Sequence, residues 1–139
     1  MQKFILIYIL ISTLWTACTE VSSDDLKYLE GYWEISKVKA HGETFNPRGS
    51  APAVDYYQIL NDSMGIKKKM VPSFGEKYSS SEDLIQYKIL TVDGNYSLQF
   101  SSPLEEWEEE VKSLSQEEMI LFHNDKSYHY KRHQKITYE

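Results

Sequence analysis

The side chains in this sequence that could do chemistry are four histidines, one cysteine and a run of glutamates. His129 and His133 would share one strand face, but about 13 Å would separate them, which is too far for one metal ion. The glutamates between positions 105 and 110 could supply a carboxylate pair for glycoside chemistry. Such a pair needs two differently tuned environments, whereas a run of glutamates is typical of a solvated strand face. The sequence has no Gly-x-Ser-x-Gly elbow and no glycine-rich phosphate loop, so we expect no catalytic residues, no metal and no cofactor.

The single cysteine, Cys18, follows a short apolar segment at the start of the chain. Lys3 precedes the apolar run from Phe4 to Trp15, and Thr16-Ala17 lead into Cys18. A charged residue, a short apolar run and a small-residue cleavage site are typical of a secretory signal peptide. The alternative is a membrane-spanning helix, which needs about 20 apolar residues, more than this run contains.

The segment from Leu14 to Cys18 resembles the bacterial lipobox, in which the cysteine is lipidated after the residue before it is cut away. Trp15 departs from the pattern, which favours a smaller aliphatic residue there. The resemblance implies a signal peptide over residues 1–17 and anchoring of Cys18 in the cell envelope, at the outer membrane. Residues 18–27 would then be the lipidated cysteine and a polar tether, in which Ser22-Ser-Asp-Asp25 resembles the surface-export signals of Bacteroidota lipoproteins.

Residues 28–139 suffice for one domain of ordinary size. A second cysteine is lacking, so no internal disulfide can form and the core must hold by packing alone. The formal net charge of −6 repels phosphate backbones, which argues against a nucleic-acid partner.

The strand pattern is clearest around Asp93-Gly94, a dipeptide typical of the type I′ turn of a β-hairpin. This turn places apolar side chains together on one face, pairing Thr91 with Tyr96, Ile89 with Leu98 and Tyr87 with Phe100. The opposite face is then mostly polar. The agreement between turn and side-chain pattern predicts the register of this hairpin.

Two weaker turns predict two further hairpins. Asn124-Asp125 would pair Leu121 with Tyr128, Met119 with Tyr130 and Glu117 with Arg132. Asn61-Asp62 would pair Ile59 with Met64 and Tyr57 with Ile66. In this register the run Lys67-Lys-Lys69 is interpreted as a solvated strand edge that resists edge-to-edge pairing.

The segment from Leu104 to Leu114 allows two interpretations. As a helix it would use the good helix formers of its glutamate run, with Trp107, Val111 and Leu114 at helical spacing. As a strand it would place Trp107, Glu109 and Val111 on one face. We favour the strand because the neighbouring hairpins leave room for one more strand of a meander. With the strand around Trp33, this gives eight strands, enough to close an all-β, antiparallel up-and-down barrel.

The pattern Leu29-x-Gly31-x-Trp33 at the first strand, with Tyr128-His-Tyr-Lys-Arg132 at the last, resembles the lipocalin-like domains of small Bacteroidota lipoproteins. The resemblance covers nearly all of the folded part. It implies a lipocalin-like barrel in which Arg132 lies on Trp33 and closes one end. It also implies a binder of small apolar molecules.

The predicted inner face carries five tyrosines that could supply hydroxyl groups to a ligand: Tyr57, Tyr87, Tyr96, Tyr128 and Tyr130. Arg132 or Glu117 could add a charged anchor. The same rings could instead simply fill a small barrel. The leading hypothesis is therefore a membrane-anchored binder of a small apolar ligand, and the alternative is a solid-core interaction module that serves another envelope protein. A hydrolase would require polar groups that converge in a cavity.

Overall fold

The structure is a computed structural model, and it describes residues 20–47, 54–72 and 78–134. The predicted signal peptide and the predicted lipidation site Cys18 lie outside these residues. Within the three described ranges, no helix is both long enough and apolar enough to cross a membrane.

The described residues form a short 3-10 helix, Ser23–Leu29, followed by antiparallel strands. The strands are β1 Gly31–Ala40, β2 Glu43–Phe45, β3 Val54–Asn61, β4 Met64–Pro72, β5 Tyr78–Val92, β6 Asn95–Ser101, β7 Glu106–Leu114, β8 Glu118–His123 and β9 Lys126–Arg132. Strands β3 to β9 pair in sequence order, and β1 pairs with both β3 and β9, so eight strands close a barrel. Among the described strands, the three-residue β2 pairs only with the end of β1. The predicted all-β, up-and-down barrel of eight strands is confirmed, and the segment around Trp107 is a strand.

The hairpin at Asp93-Gly94 has the predicted register. Tyr87 pairs with Phe100, Ile89 with Leu98 and Thr91 with Tyr96. Asp93 and Gly94 both have positive φ, 51° and 80°, as a type I′ turn requires. The hairpin of β8 and β9 also matches its prediction, with Leu121 opposite Tyr128 and Met119 opposite Tyr130.

The predicted register of the first hairpin was wrong by one residue. Asn61 Oδ1 accepts a hydrogen bond from the backbone N–H of Ser63 at 3.0 Å, so Asp62 and Ser63 form the turn and Asn61 pairs with Met64. The ladder then skips one residue and pairs Ile59 with Gly65. Because successive side chains of a strand point to opposite faces, this shift exchanges the inward-facing and outward-facing positions of β4.

The shift places Lys67 opposite Tyr57 inside the barrel, where only 8% of the Lys67 surface is exposed. The interpretation of Lys67 as part of a solvated edge was therefore wrong. Lys69 of the same run is exposed, as predicted.

The 3-10 helix contacts both β3 and β7, which lie on opposite sides of the barrel, so it lies across one end. Leu29 is fully buried, and Val21 and Leu26 pack against the core. Val21 and Leu26, which fall within the predicted tether, thus pack against the barrel. We call this end, where β1 begins and β9 finishes, the closed end. The far end carries the turns at His41-Gly42 and Asn124-Asp125.

Three aromatic rings fill the middle of the barrel. Tyr57, Tyr87 and Phe100 are almost completely buried. Their ring centroids lie 5.8 Å apart for the two tyrosines, and 6.4 and 6.0 Å from Phe100. These are ordinary distances for aromatic packing.

Candidate functional site

The closed end is sealed by Arg132 and Trp33. The guanidinium carbon of Arg132 lies 3.9 Å from the centroid of the fully buried Trp33 ring. Trp33 Nε1 donates to the carbonyl of Leu29 at 2.9 Å, which joins the 3-10 helix to β1. The two residues thus form the contact that the family resemblance implies.

The guanidinium of Arg132 is occupied by backbone carbonyls. It donates to Gln116 O, Glu30 O and Tyr28 O at distances between 2.7 and 2.8 Å. Gly31 allows this approach, because a Cβ there would meet Arg132 Nη1 at 2.5 Å and because its φ is +125°. Arg132 therefore holds the closed end together.

A second polar group, which sequence analysis missed, lies inside the barrel. The ammonium of Lys67 lies 3.4 Å from Asp55 Oδ2, and the side chains of both residues are about nine-tenths buried. We call Asp55, Lys67 and the nearby Glu109 the inner charged group. Asp55 lies near the far-end start of β3, Lys67 lies opposite Tyr57 on β4, and Glu109 lies opposite Leu98 on β7.

Lys67 stays protonated inside the barrel. Burial by itself would lower the pKa of Lys67, but the charge of Asp55, with contributions from Tyr130 and Glu109, raises it. Its Nζ also lies 5.4 Å from the ring centroid of Tyr57 and 5.1 Å from that of Phe100, within the range of cation–π attraction.

Glu109 reaches the inner charged group from β7. Its Oε1 accepts a hydrogen bond from Trp107 Nε1 at 2.9 Å, and the Trp107 ring stacks on Phe100 with 5.2 Å between centroids. Glu109 and Trp107 are only partly buried, whereas Phe100 beneath them is fully buried. The carboxylate and the indole therefore lie on the inward face of β7 and keep part of their surface exposed.

The hydroxyl of Tyr57 is buried and has no hydrogen-bond partner among the described residues. Burial raises the pKa of Tyr57 well above its usual value, and the nearby charges of Asp55 and Glu109 add to this. The hydroxyl of Tyr87 differs, because it donates to Gln58 O at 3.2 Å across the space that Gly65 leaves open. A buried hydroxyl without a partner costs about 1 to 3 kcal/mol, so the hydroxyl group of Tyr57, as distinct from its packed ring, lowers the stability of the barrel.

The five tyrosines predicted to line a ligand site occupy different environments. Tyr57 and Tyr87 are packed into the filled centre, and Tyr130 is 8% exposed. Tyr96 and Tyr128 are half-buried and pack against the core. Of the five tyrosines, Tyr128 and Tyr130 lie on the last strand, β9, which starts at the far end.

A groove of about 430 Å³ lies at the closed end, on the outside of the barrel. It is lined by Glu34, Glu117, Glu118, Lys131, Arg132 and Gln134. Partial burial would raise the pKa of Glu34, but hydrogen bonds from His133 and Lys131 outweigh this effect and lower it. In this groove Glu34 is thus paired with the cationic side chain of Lys131 and with His133. Across the described part of the chain, no three histidine, cysteine, aspartate or glutamate side chains come close enough to hold a metal ion.

These observations define a small antiparallel barrel that is sealed at one end by a 3-10 helix and a Trp–Arg contact and contains an ion pair. It is similar to a lipocalin-like protein from Bacteroides uniformis ATCC 8492, with a TM-score of 0.48 and 9% sequence identity. It is also similar to an uncharacterized protein from Bacteroides eggerthii DSM 20697, with a TM-score of 0.47 and 13% identity. Both alignments cover 76% of this chain and 99% of the other chain. No protein-family model matches the sequence, and no curated protein matches it significantly.

Proposed function

We propose that this protein is a lipid-anchored cell-envelope protein whose barrel binds a small molecule with an apolar body. The proposed anchor is Cys18, and the support for it is the lipobox-like segment that precedes this cysteine. The proposed location is the outer membrane, and the barrel is proposed to act without catalysis.

The observation that carries the binding proposal is the inner charged group beside an unpartnered hydroxyl. A buried ion pair adds little stability compared with apolar residues of the same size. The Tyr57 hydroxyl lowers stability further. Stability alone accounts for neither feature, and we propose that both also serve the recognition of a ligand.

Exposure of the inner side chains favours the far-end half as the binding region. Trp33 and Leu29 at the closed end have no exposed surface. Trp107, Glu109 and Tyr128, which lie nearer the far end, keep part of their surface exposed. A ligand would therefore enter from the far end and rest against the aromatic layer and the inner charged group.

A second candidate function is an interaction module for another envelope protein. The filled centre formed by Tyr57, Tyr87 and Phe100 favours it, because a solid barrel needs no ligand to be stable. Such a module would use its outer surface, where large apolar side chains such as Leu104 and Val92 are exposed.

Native mass spectrometry of the protein purified from its own envelope fraction tests the binding proposal. We expect a discrete small-molecule adduct that Tyr128→Leu weakens, because Tyr128 faces the interior. Tyr32→Leu is the matched control, since Tyr32 alternates with the inward Trp33 and lies on the outer face. A bare protein mass, together with no uptake of an apolar fluorescent probe, would favour the interaction module.

The anchor has a separate test. The proposal predicts that the protein sediments with membranes and carries a diacylglyceryl-modified Cys18 at its amino terminus. A Cys18→Ser variant is expected in the soluble fraction. Membrane association of Cys18→Ser at the level of the unsubstituted protein would contradict lipid anchoring.

A further inference from the structure

The barrel interior carries more negative than positive charge. Asp55 is paired with Lys67, whereas Glu109 has no cation within 4 Å among the described residues. Burial and the nearby Tyr57 raise the pKa of Tyr130, Lys67 acts in the opposite direction, and the charges of Asp55 and Glu109 raise it further. Bringing a further negative charge into this region would be unfavourable, so the interior disfavours ligands with a carboxylate or phosphate head group.

Glu109 keeps free capacity to accept hydrogen bonds. A carboxylate offers about four lone-pair sites, and Trp107 Nε1 uses one of them on Oε1. Glu109 is partly exposed, so its remaining sites can be reached without displacing the fully buried aromatic layer. A charged donor would form a short, strong hydrogen bond there.

The ring of Trp107 adds a second attraction for a cation. An indole face is the aromatic surface that attracts cations most strongly. Trp107 is itself partly exposed beside Glu109, and its other side is supported by the stacked Phe100 ring. A carboxylate next to a supported indole is well suited to bind an ammonium group.

Lys67 shows that this environment stabilises an ammonium group. Its Nζ has the same two kinds of partner: a carboxylate at 3.4 Å and two aromatic rings at 5.1 and 5.4 Å. The ammonium of Lys67 uses Asp55, Tyr57 and Phe100. The pair of Glu109 and Trp107 offers the same two kinds of partner on β7, without an occupant from the described chain.

We infer that the ligand of this barrel is an amine with an apolar body, whose ammonium group binds Glu109 and the face of Trp107. This inference rests on the proposed function of the barrel as a ligand carrier. It replaces the purely apolar ligand expected from the family resemblance with an amphipathic, cationic one. The apolar body would lie towards the far end, against the half-buried Tyr128.

The test uses three probes that share one chain and differ in the head group: n-octylamine, 1-octanol and octanoate. Isothermal titration calorimetry on the full protein at neutral pH is expected to give about tenfold tighter binding for the amine than for octanoate. Glu109→Gln is expected to remove most of this preference. Glu108→Gln is the matched control, because Glu108 is exposed on the outer face of the same strand and its substitution changes the net charge equally.

Trp107→Leu is a second variant that removes the indole while it keeps the carboxylate, and we expect it to weaken binding of the amine more than binding of octanol. Equal affinity for the three probes, or a preference for octanoate, would overturn the amine inference while leaving ligand binding intact. An equal effect of Glu108→Gln and Glu109→Gln would overturn it as well, since the preference would then come from overall charge. Failure of all three probes to bind would overturn the proposed function and the inference together.

Discussion

The ammonium of Lys67 lies 3.4 Å from Asp55, although the direct cross-strand partner of Lys67 is Tyr57. The lysine side chain therefore reaches diagonally across the pair of β3 and β4 towards the far end. A slip of one residue between these strands would point Lys67 outwards and leave Asp55 buried without its cation. The ion pair thus favours a single register for a hairpin whose turn residues specify it weakly.

Lys67→Met is expected to cost about 3 kcal/mol of unfolding free energy, because it leaves the Asp55 carboxylate buried without a partner. Adding Asp55→Asn should restore most of the loss. Urea unfolding of the two single variants and the double variant measures the coupling. Lys68→Met, on the outer face of the same strand, is the control, and an equally small effect at both lysines would mean that the pair of Asp55 and Lys67 contributes little to stability.

Two conservative tyrosine substitutions are expected to have opposite effects. Tyr57→Phe removes a hydroxyl without a partner and should leave stability unchanged or raise it by up to about 1 kcal/mol. Tyr87→Phe removes the hydrogen bond to Gln58 O and should lower stability by about 1 kcal/mol. Thermal or urea unfolding distinguishes them. A loss on Tyr57→Phe as large as that on Tyr87→Phe would mean that the Tyr57 hydroxyl has a partner.

Arg132→Ala should destabilise the barrel by about 2 to 4 kcal/mol, since it frees three backbone carbonyls and uncovers Trp33. The fluorescence of Trp33 should shift to longer wavelength as water reaches its ring. Lys131→Ala removes a neighbouring positive charge that pairs with Glu34 at the surface, and it should cost less than about 1 kcal/mol. Similar losses for Arg132→Ala and Lys131→Ala would show that the seal at the closed end contributes little.

Alkaline pH should destabilise the protein through its buried tyrosines. Burial raises the pKa of Tyr57, Tyr87 and Tyr130, so these residues stay neutral in the folded barrel when they would ionise in the unfolded chain. Their contribution is fully present below the unfolded value of about 10, and it is lost as the pH rises above that value. Tyrosinate absorbance should therefore show a late group of tyrosines that ionise together with unfolding. Gradual ionisation of all tyrosines in the folded state would contradict the buried placement.

The sequence predicted the barrel well because turn chemistry and side-chain alternation agree along most of it. Asp93-Gly94 suits positive φ at both turn positions, and the register that follows is the one observed. Asn61-Asp62 failed as a turn because the Asn61 side chain bonds to the backbone N–H of Ser63 and moves the turn by one residue. Local hydrogen bonding of this kind is not visible in a pattern of apolar and polar residues.

The site could be predicted only in part. The contact of Arg132 with Trp33 followed from a family resemblance, because no spacing rule relates residues so far apart in the chain. Glu109 was placed on one face with Trp107, which is correct, but its face also receives Lys67 from the shifted strand. The inner charged group therefore depends on the register of one hairpin, the element for which the sequence signal was weakest.

We expect a ligand to bind in the far-end half of the barrel and to leave the closed end undisturbed. The indole N–H groups of Trp107 and Trp33 report on these two regions, because Trp107 bonds to Glu109 and Trp33 bonds to Leu29 O. Titration of the ¹⁵N-labelled protein with n-octylamine should shift the Trp107 indole resonance in the two-dimensional ¹H–¹⁵N spectrum and leave that of Trp33 in place. A shift of Trp33 alone, or of neither resonance at saturating probe, would contradict binding inside the barrel.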